Sequence, residues 1–209
     1  MDNLNLVNRI ILQSPKRFEE TVKGFKEVSK FPNYSIKDSV ASYKDKYTRS
    51  ANSCAELAMS NGKYTYLGHF APELRKYDFR DKLDYIIKKM QDETGELSAF
   101  VTGGHDVGTG GNKFAADESF RQLADIGNVL DNNNVENLTM IAAKKKFDIK
   151  DNLAVTGDSF IFSHTPTDCR FNPLQIDKPN PTREELEALL KTRYGIVEIA
   201  PEHTIEYIG

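Results

Sequence analysis

The stretch Cys54-Ala55-Glu56-Leu57-Ala58-Met59-Ser60-Asn61-Gly62-Lys63-Tyr64-Thr65-Tyr66-Leu67-Gly68-His69 decides how this chain is read. Ala55, Leu57 and Met59 alternate with other residues before Asn61-Gly62, and Tyr64 and Tyr66 do so after it. That is the period of two expected of strands, broken at a dipeptide that favours a tight hairpin. A two-residue loop at Asn61-Gly62 sets Ser60 opposite Lys63, so facing residues have numbers adding to 123. Cys54 then faces His69, with Cβ atoms roughly 4.5–5.5 Å apart. Leu57 faces Tyr66 and Met59 faces Tyr64, an apolar set suited to a core. The cysteine and histidine are left on the less apolar face.

Outward from the hairpin, helices and strands mix without regular alternation. Residues 3–13 read as a short helix from the spacing of Val7, Ile10 and Ile11. Ser14-Pro15 starts another, with serine as N-cap and proline at the first helical position. Phe18, Val22, Phe25 and Val28 carry it to about residue 30. Strand character begins at Ser39. Phe79 to Met90 is an amphipathic helix with Leu83, Ile86, Ile87 and Met90 on one face, stopped by Gly95. Leu97–Val101 is a short buried strand that leads into the glycine-rich stretch from Gly103 to Gly111. Helices are predicted over residues 117–131 and 135–146. Strands follow at 153–155 and 159–163, around Gly157-Asp158.

Pro166, Pro173, Pro179 and Pro181 then loosen the chain. Thr182 caps a helix through Leu186, Leu189 and Leu190, with Glu185 completing a capping box. Residues 196–199 and 204–208 are candidate closing strands. The expected fold class is α+β, with mixed or antiparallel sheets in a sandwich-like arrangement flanked by helices. The expected organisation is a helical appendage at 1–36, a core at 37–165, and a proline-rich extension at 166–209 that carries one helix and packs on the same domain.

Composition narrows the function. The chain has 209 residues, 39% hydrophobic, with 28 basic and 31 acidic side chains and a formal charge of −3. That is enough apolar material for a core. It supplies no basic field for nucleic acid. No run approaches the roughly 18 apolar residues of a membrane span. No cleavable signal is read at the N-terminus. The expectation is a cytoplasmic protein with free thiols, or one secreted without a cleaved signal. Two cysteines, with no Cys/His spacing to organise them, suggest neither a disulfide framework nor a zinc site.

A thiol facing an imidazole has a chemistry of its own. The thiolate is the nucleophile, and a neighbouring imidazole lowers the thiol pKa from about 8.5 toward neutrality. The same ring can protonate a leaving amine. The backbone N–H of Cys54 and a neighbouring N–H can bind an oxyanion.

Several motifs in order around this pair resemble one family. Thr48-Arg49-Ser50-Ala51-Asn52-Ser53-Cys54 and His69-Phe70-Ala71-Pro72 are similar to the chemotaxis receptor glutamine deamidase family, CheD, whose Cys–His core is shared with the cytotoxic necrotizing factor toxins. Ala99 to Gly104 matches its strand ending in Gly-Gly. Ile126-Gly127 with Asn134-Val135-Glu136, and Phe147 to Phe162, match later elements. The likeness covers residues 40–163. This chain departs from it in having Asn52-Ser53-Cys54 for Gly-Ser-Cys, a His-to-Pro spacing one residue shorter, and extra residues between the Ile-Gly and Asn-Val elements.

The resemblance implies Cys54 as nucleophile, His69 as base and acid, and Thr48 as the group that orients the histidine. It implies deamidation of a protein glutamine, with a chemotaxis receptor or another signalling or host protein as partner, and no metal or cofactor. Asn52, Ser53, Gly103, Gly104 and His105 are the candidates for framing substrate or oxyanion. Two other readings stand beside it: a non-catalytic protein-binding module, and another thiol amidase or peptidase using the same pair.

Other motifs read more plainly. The glycine-rich stretch matches neither phosphate-binding pattern and suits a substrate-framing loop. His164 and Cys169 lie close in sequence without a register to organise them. Lys144-Lys145-Lys146 reads as a solvated helix end. His203 reads as a surface residue.

Overall fold

A computed structural model describes residues 6–28, 45–51, 54–72, 78–104, 113–142, 149–166, 176 and 178–209. The class is α+β, built on two mixed sheets. In order, the six-stranded sheet contains β11 (Thr204–Ile208), β1 (Arg9–Gln13), β9 (Ser159–Pro166), β8 (Ile149–Val155), β3 (Lys46–Ala51) and β2 (Lys26–Glu27). The five-stranded sheet contains β10 (Ile196–Glu198), β7 (Asn137–Ala142), β6 (Ser98–Gly103), β4 (Ala55–Ser60) and β5 (Thr65–Phe70).

Among the described residues the helices are α1 (Pro15–Thr21), α2 (Phe79–Thr94), α3 (Lys113–Asn132) and α4 (Arg183–Arg193). Ala58, Leu67, Phe100 and Ile141 of one sheet share a buried cluster with Ile10, Leu12, Leu153, Phe160 and Phe162 of the other. Leu186 and Leu190 of α4 join it. On the far side of the five-stranded sheet, Leu57, Met59, Ala99 and Val101 meet Leu83, Ile87, Ile126 and Leu130 of α2 and α3. Behind the six-stranded sheet, Ile11, Ala154 and Ile161 cover Phe18 of α1 and Val22.

Local signals land where the sequence places them. The Ser14 side chain accepts from the Arg17 N–H, with Pro15 in the first turn. Gly95 ends α2 with φ 79°. Thr182 and Glu185 form the capping box of α4. Strands flank Gly157-Asp158, and β10 and β11 close the two sheets.

Two expected helices are strands. Residues 9–13 form β1, hydrogen-bonded in parallel to β9 on one side and β11 on the other. Ile10 and Leu12 point between the sheets and Ile11 points toward α1, so both faces are buried. A strand buried on both faces has no alternation to reveal it, and its continuous apolar run imitates helical spacing. The N-terminal segment is therefore woven into the sheet and is not a helical appendage. The following helix ends at Thr21, not near residue 30, and Gly24 at φ 91° turns the chain into β2. The predicted helix over 135–146 is replaced by β7, parallel to β6, for the same reason: Leu138 and Met140 face the helices while Ile141 faces the other sheet. Lys144, Lys145 and Lys146 lie outside the described residues.

The hairpin forms, in a different register. Its loop has four residues, Asn61 to Tyr64, so Ser60 pairs with Thr65 and facing residues sum to 125. Asn61 explains this. Its side-chain oxygen accepts from the N–H groups of Lys63 (3.0 Å) and Tyr64 (2.6 Å), and its amide nitrogen donates to the Met90 carbonyl of α2 (2.7 Å). An asparagine that closes its own turn and is anchored on a helix favours the longer loop. Leu57 now faces Gly68, and Met59 faces Tyr66.

Candidate active site

The two-residue shift moves each partner but keeps every side chain on its face, because strand faces repeat every two residues. Glu56, not Cys54, is directly opposite His69. Continuing the register one step beyond Ala55–Phe70 brings Cys54 to Ala71, with which it forms a small buried cluster. Cys54 itself lies just before the first residue of β4. The expected Cys54–His69 pair is corrected to a Glu56–His69 pair.

Cys54 sits where the ends of β4, β5 and β6 meet. Its carbonyl accepts from the N–H of Gly104 (3.2 Å). Gly103 adopts φ 111°, and a Cβ there would lie 2.2 Å from the Cys54 carbonyl oxygen, so glycine is required on both counts. The Gly104 amide assigned to substrate or oxyanion is thus committed to the Cys54 backbone. From α3, Gln122 donates to the Ala71 carbonyl (2.8 Å) and ties the neighbouring strand end in place. Asn52, Ser53 and His105 lie outside the described residues.

His69 is fully buried, with its Nδ1 2.7 Å from the Thr48 hydroxyl and 3.6 Å from Glu56 Oε1. Thr48 comes from β3 of the opposite sheet, so this contact bridges the sandwich. It belongs to a polar layer. Glu56 is flanked on β6 by Thr102, whose hydroxyl donates to Asp151 Oδ2 on β8 (2.7 Å). The Tyr194 hydroxyl donates to Asp151 Oδ1 (3.2 Å). His164 stands opposite Asp151 on β9, and its Nε2 lies 3.2 Å from Arg193. Thr48, Glu56, His69, Thr102, Asp151 and His164 are each at most 1% exposed.

Electrostatics follows from that burial. Loss of solvent, reinforced by the nearby Asp151 carboxylate, holds the Glu56 carboxyl well above its ordinary range. Burial, and then Asp151, raises the Tyr194 phenol in the same way. Cys169, which the sequence sets near His164, lies outside the described residues.

Glu56, Thr102 and Asp151 are absent from the sequence-based site. Glu56 is the charged residue in a strand that otherwise reads Ala-Leu-Ala-Met-Ser, and it stands two residues after Cys54, the spacing of one strand face. That parity was the available signal.

His203 corrects the sequence reading outright. It is fully buried, with Nδ1 2.6 Å from the Thr139 hydroxyl and Nε2 2.7 Å from that of Ser98. Near it, at the start of β6 and thus away from Cys54, a cavity of about 720 Å³ is lined in part by Glu96, Glu136 and Glu202. Among the described residues, no group of three or more His, Cys, Asp or Glu side chains is placed to hold a metal ion. Nor is any helix there long and apolar enough to cross a membrane.

No protein-family model matches the chain, and no curated protein sequence matches it.

Proposed function

We propose that this chain is a cysteine-dependent protein glutamine deamidase of the CheD type, acting on a chemotaxis receptor or on another signalling or host protein. One observation carries the reading: the Thr48 hydroxyl lies 2.7 Å from Nδ1 of a fully buried His69, on the face that strand alternation assigns to Cys54. A hydroxyl on one ring nitrogen orients an imidazole and leaves the other nitrogen for proton transfer.

In the reaction, His69 takes the Cys54 proton and the thiolate attacks the side-chain carboxamide carbon of glutamine. The tetrahedral intermediate collapses as His69 returns the proton to the departing ammonia, leaving a thioester. Water then attacks, His69 accepts its proton, and the thiol leaves with that proton, giving glutamate. No metal or organic cofactor takes part. The proposed setting is the cytoplasm, or a host cell reached by secretion without a cleaved signal.

Mass spectrometry of candidate partner proteins incubated with wild type and with Cys54→Ser tests this. Conversion of glutamine to glutamate in an intact partner chain, absent with Cys54→Ser, is expected. Cleavage of the partner would replace the deamidase with a thiol peptidase. The complete burial of His69 favours one further reading, a protein-binding module that performs no chemistry. A stable complex with an unmodified partner is its signature.

A further inference from the structure

Glu56 is the least explicable residue in the sandwich on grounds of stability. It is fully buried, and neither carboxyl oxygen has a hydrogen-bond partner among the described residues. Its face of β4 continues into the apolar Ala58. An aliphatic side chain in its place would avoid burying two unsatisfied oxygens. Its nearest polar neighbour on β5 is the His69 ring, 3.6 Å from Oε1 to Nδ1. That is beyond a hydrogen bond but within range of strong charge coupling in a dry interior.

We propose that Glu56 is a positioning residue that supplies the countercharge to the His69 imidazolium, so that the Cys54 thiolate is favoured where Glu56 is ionised. The inference rests on the Cys54–His69 reading above. Two protons move: the Cys54 proton goes to His69, and the Glu56 proton goes to bulk water. With both transferred, a carboxylate lies beside the imidazolium, and the imidazolium beside the thiolate.

The groups around Glu56 make this coupling specific. His69 faces it from β5, Thr102 from β6, Thr48 from β3 and Asp151 from β8, with Tyr194 on the far side of Asp151. The cation Arg193 is turned to His164 on the other side of that layer. Among the described residues, His69 is thus the group in direct reach of the carboxyl that can offer it a positive charge, and the Asp151 carboxylate opposes the ionisation of Glu56. Ionisation of Glu56 and protonation of His69 therefore favour each other.

The test is the pH profile of Cys54 alkylation by iodoacetamide in wild type, Glu56→Gln, Glu56→Asp and His69→Ala. Glu56→Gln keeps the shape and removes the charge. It is expected to lower the rate at neutral pH about tenfold and to move the midpoint up by about one unit. Glu56→Asp is expected to restore part of the rate. A Glu56→Gln profile that superimposes on wild type, while His69→Ala slows alkylation, overturns this proposal alone. His69→Ala alkylating like wild type overturns the Cys–His reading itself.

A measurement on the wild-type protein holds even where a variant does not fold. The carboxyl carbon resonance of Glu56 is expected to titrate in the same step that activates Cys54. A resonance that is constant from about pH 5 to pH 9 overturns the proposal.

Discussion

His69 and His203 occupy opposite ends of the five-stranded sheet and begin from the same local device. Each ring is fully buried, and each has Nδ1 against a threonine hydroxyl, at 2.7 Å from Thr48 and 2.6 Å from Thr139. Beyond that they diverge. Nε2 of His203 meets the Ser98 hydroxyl, which also donates to the Val7 carbonyl, while Arg183 donates to the backbone carbonyls of residues 199, 200, 201 and 203. These contacts tie the start of β6, the segment before β1 and the first residue of α4 to the turn that carries His203. His69 has instead a carboxyl 3.6 Å from its Nδ1, on a strand that begins one residue after Cys54. The Thr–His contact by itself therefore marks a clamp. What sets His69 apart is the carboxyl of Glu56 beside its ring.

The sharpest way to break this comparison is Gly103→Ala. The new Cβ would collide with the Cys54 carbonyl at 2.2 Å and the Ala55 Cα at 2.9 Å, in a backbone region strained for alanine. A loss of about 4 kcal/mol in urea unfolding is expected, with Cys54 alkylation altered as β4 and β6 part. Unchanged stability would show that the two strands are not held this closely.

Next comes pH. Burial first, and the Arg183 charge second, lower His203 from 6.5 to about 4. The fold thus prefers the neutral ring. Its contribution is complete above pH 6.5 and is lost as pH falls from there toward 4, by about 3 kcal/mol in all. Glu56 has the opposite sign. Its raised pKa means that stability is greatest below its ordinary 4.5 and declines as pH rises above that value. Urea unfolding as a function of pH is expected to lose its acid-side decline in His203→Ala, with Cys54 alkylation unchanged at neutral pH. A His203→Ala protein that alkylates as slowly as His69→Ala would erase the distinction between clamp and site.

The smallest effect is expected from Thr48→Val, which keeps the volume and removes the hydroxyl from His69. It should cost about 1 kcal/mol of stability and slow Cys54 alkylation. The matching Thr139→Val should cost a similar amount in unfolding and leave alkylation alone. Equal alkylation in both would make Thr48 as purely structural as Thr139.

Legibility in the sequence tracked how local each signal was. The Ser14-Pro15 start, the Gly95 stop and the Thr182–Glu185 box each depend on a few adjacent residues, and each forms as read. The segments that form β1 and β7 imitate helices in sequence because apolar residues cover both their faces, which removes the alternation that identifies a strand. His203 was read as exposed because its partners, Ser98 and Thr139, come from 105 and 64 residues away.

The hairpin is legible in its position and illegible in its register. Cys54 and His69 share a face under either hairpin loop, since a shift of two leaves faces unchanged. Asn61, reaching α2, chose the longer loop and put Glu56 opposite His69.

The α+β class, the helix caps and the position of the hairpin are all readable from the chain alone. These follow from the preferences of neighbouring residues and from the period of two. Tertiary structure alone decided the register, the strands at residues 9–13 and 137–142, and the buried polar layer that meets His69. Those depend on which surfaces lose contact with water, and that is settled only when one sheet closes over the other.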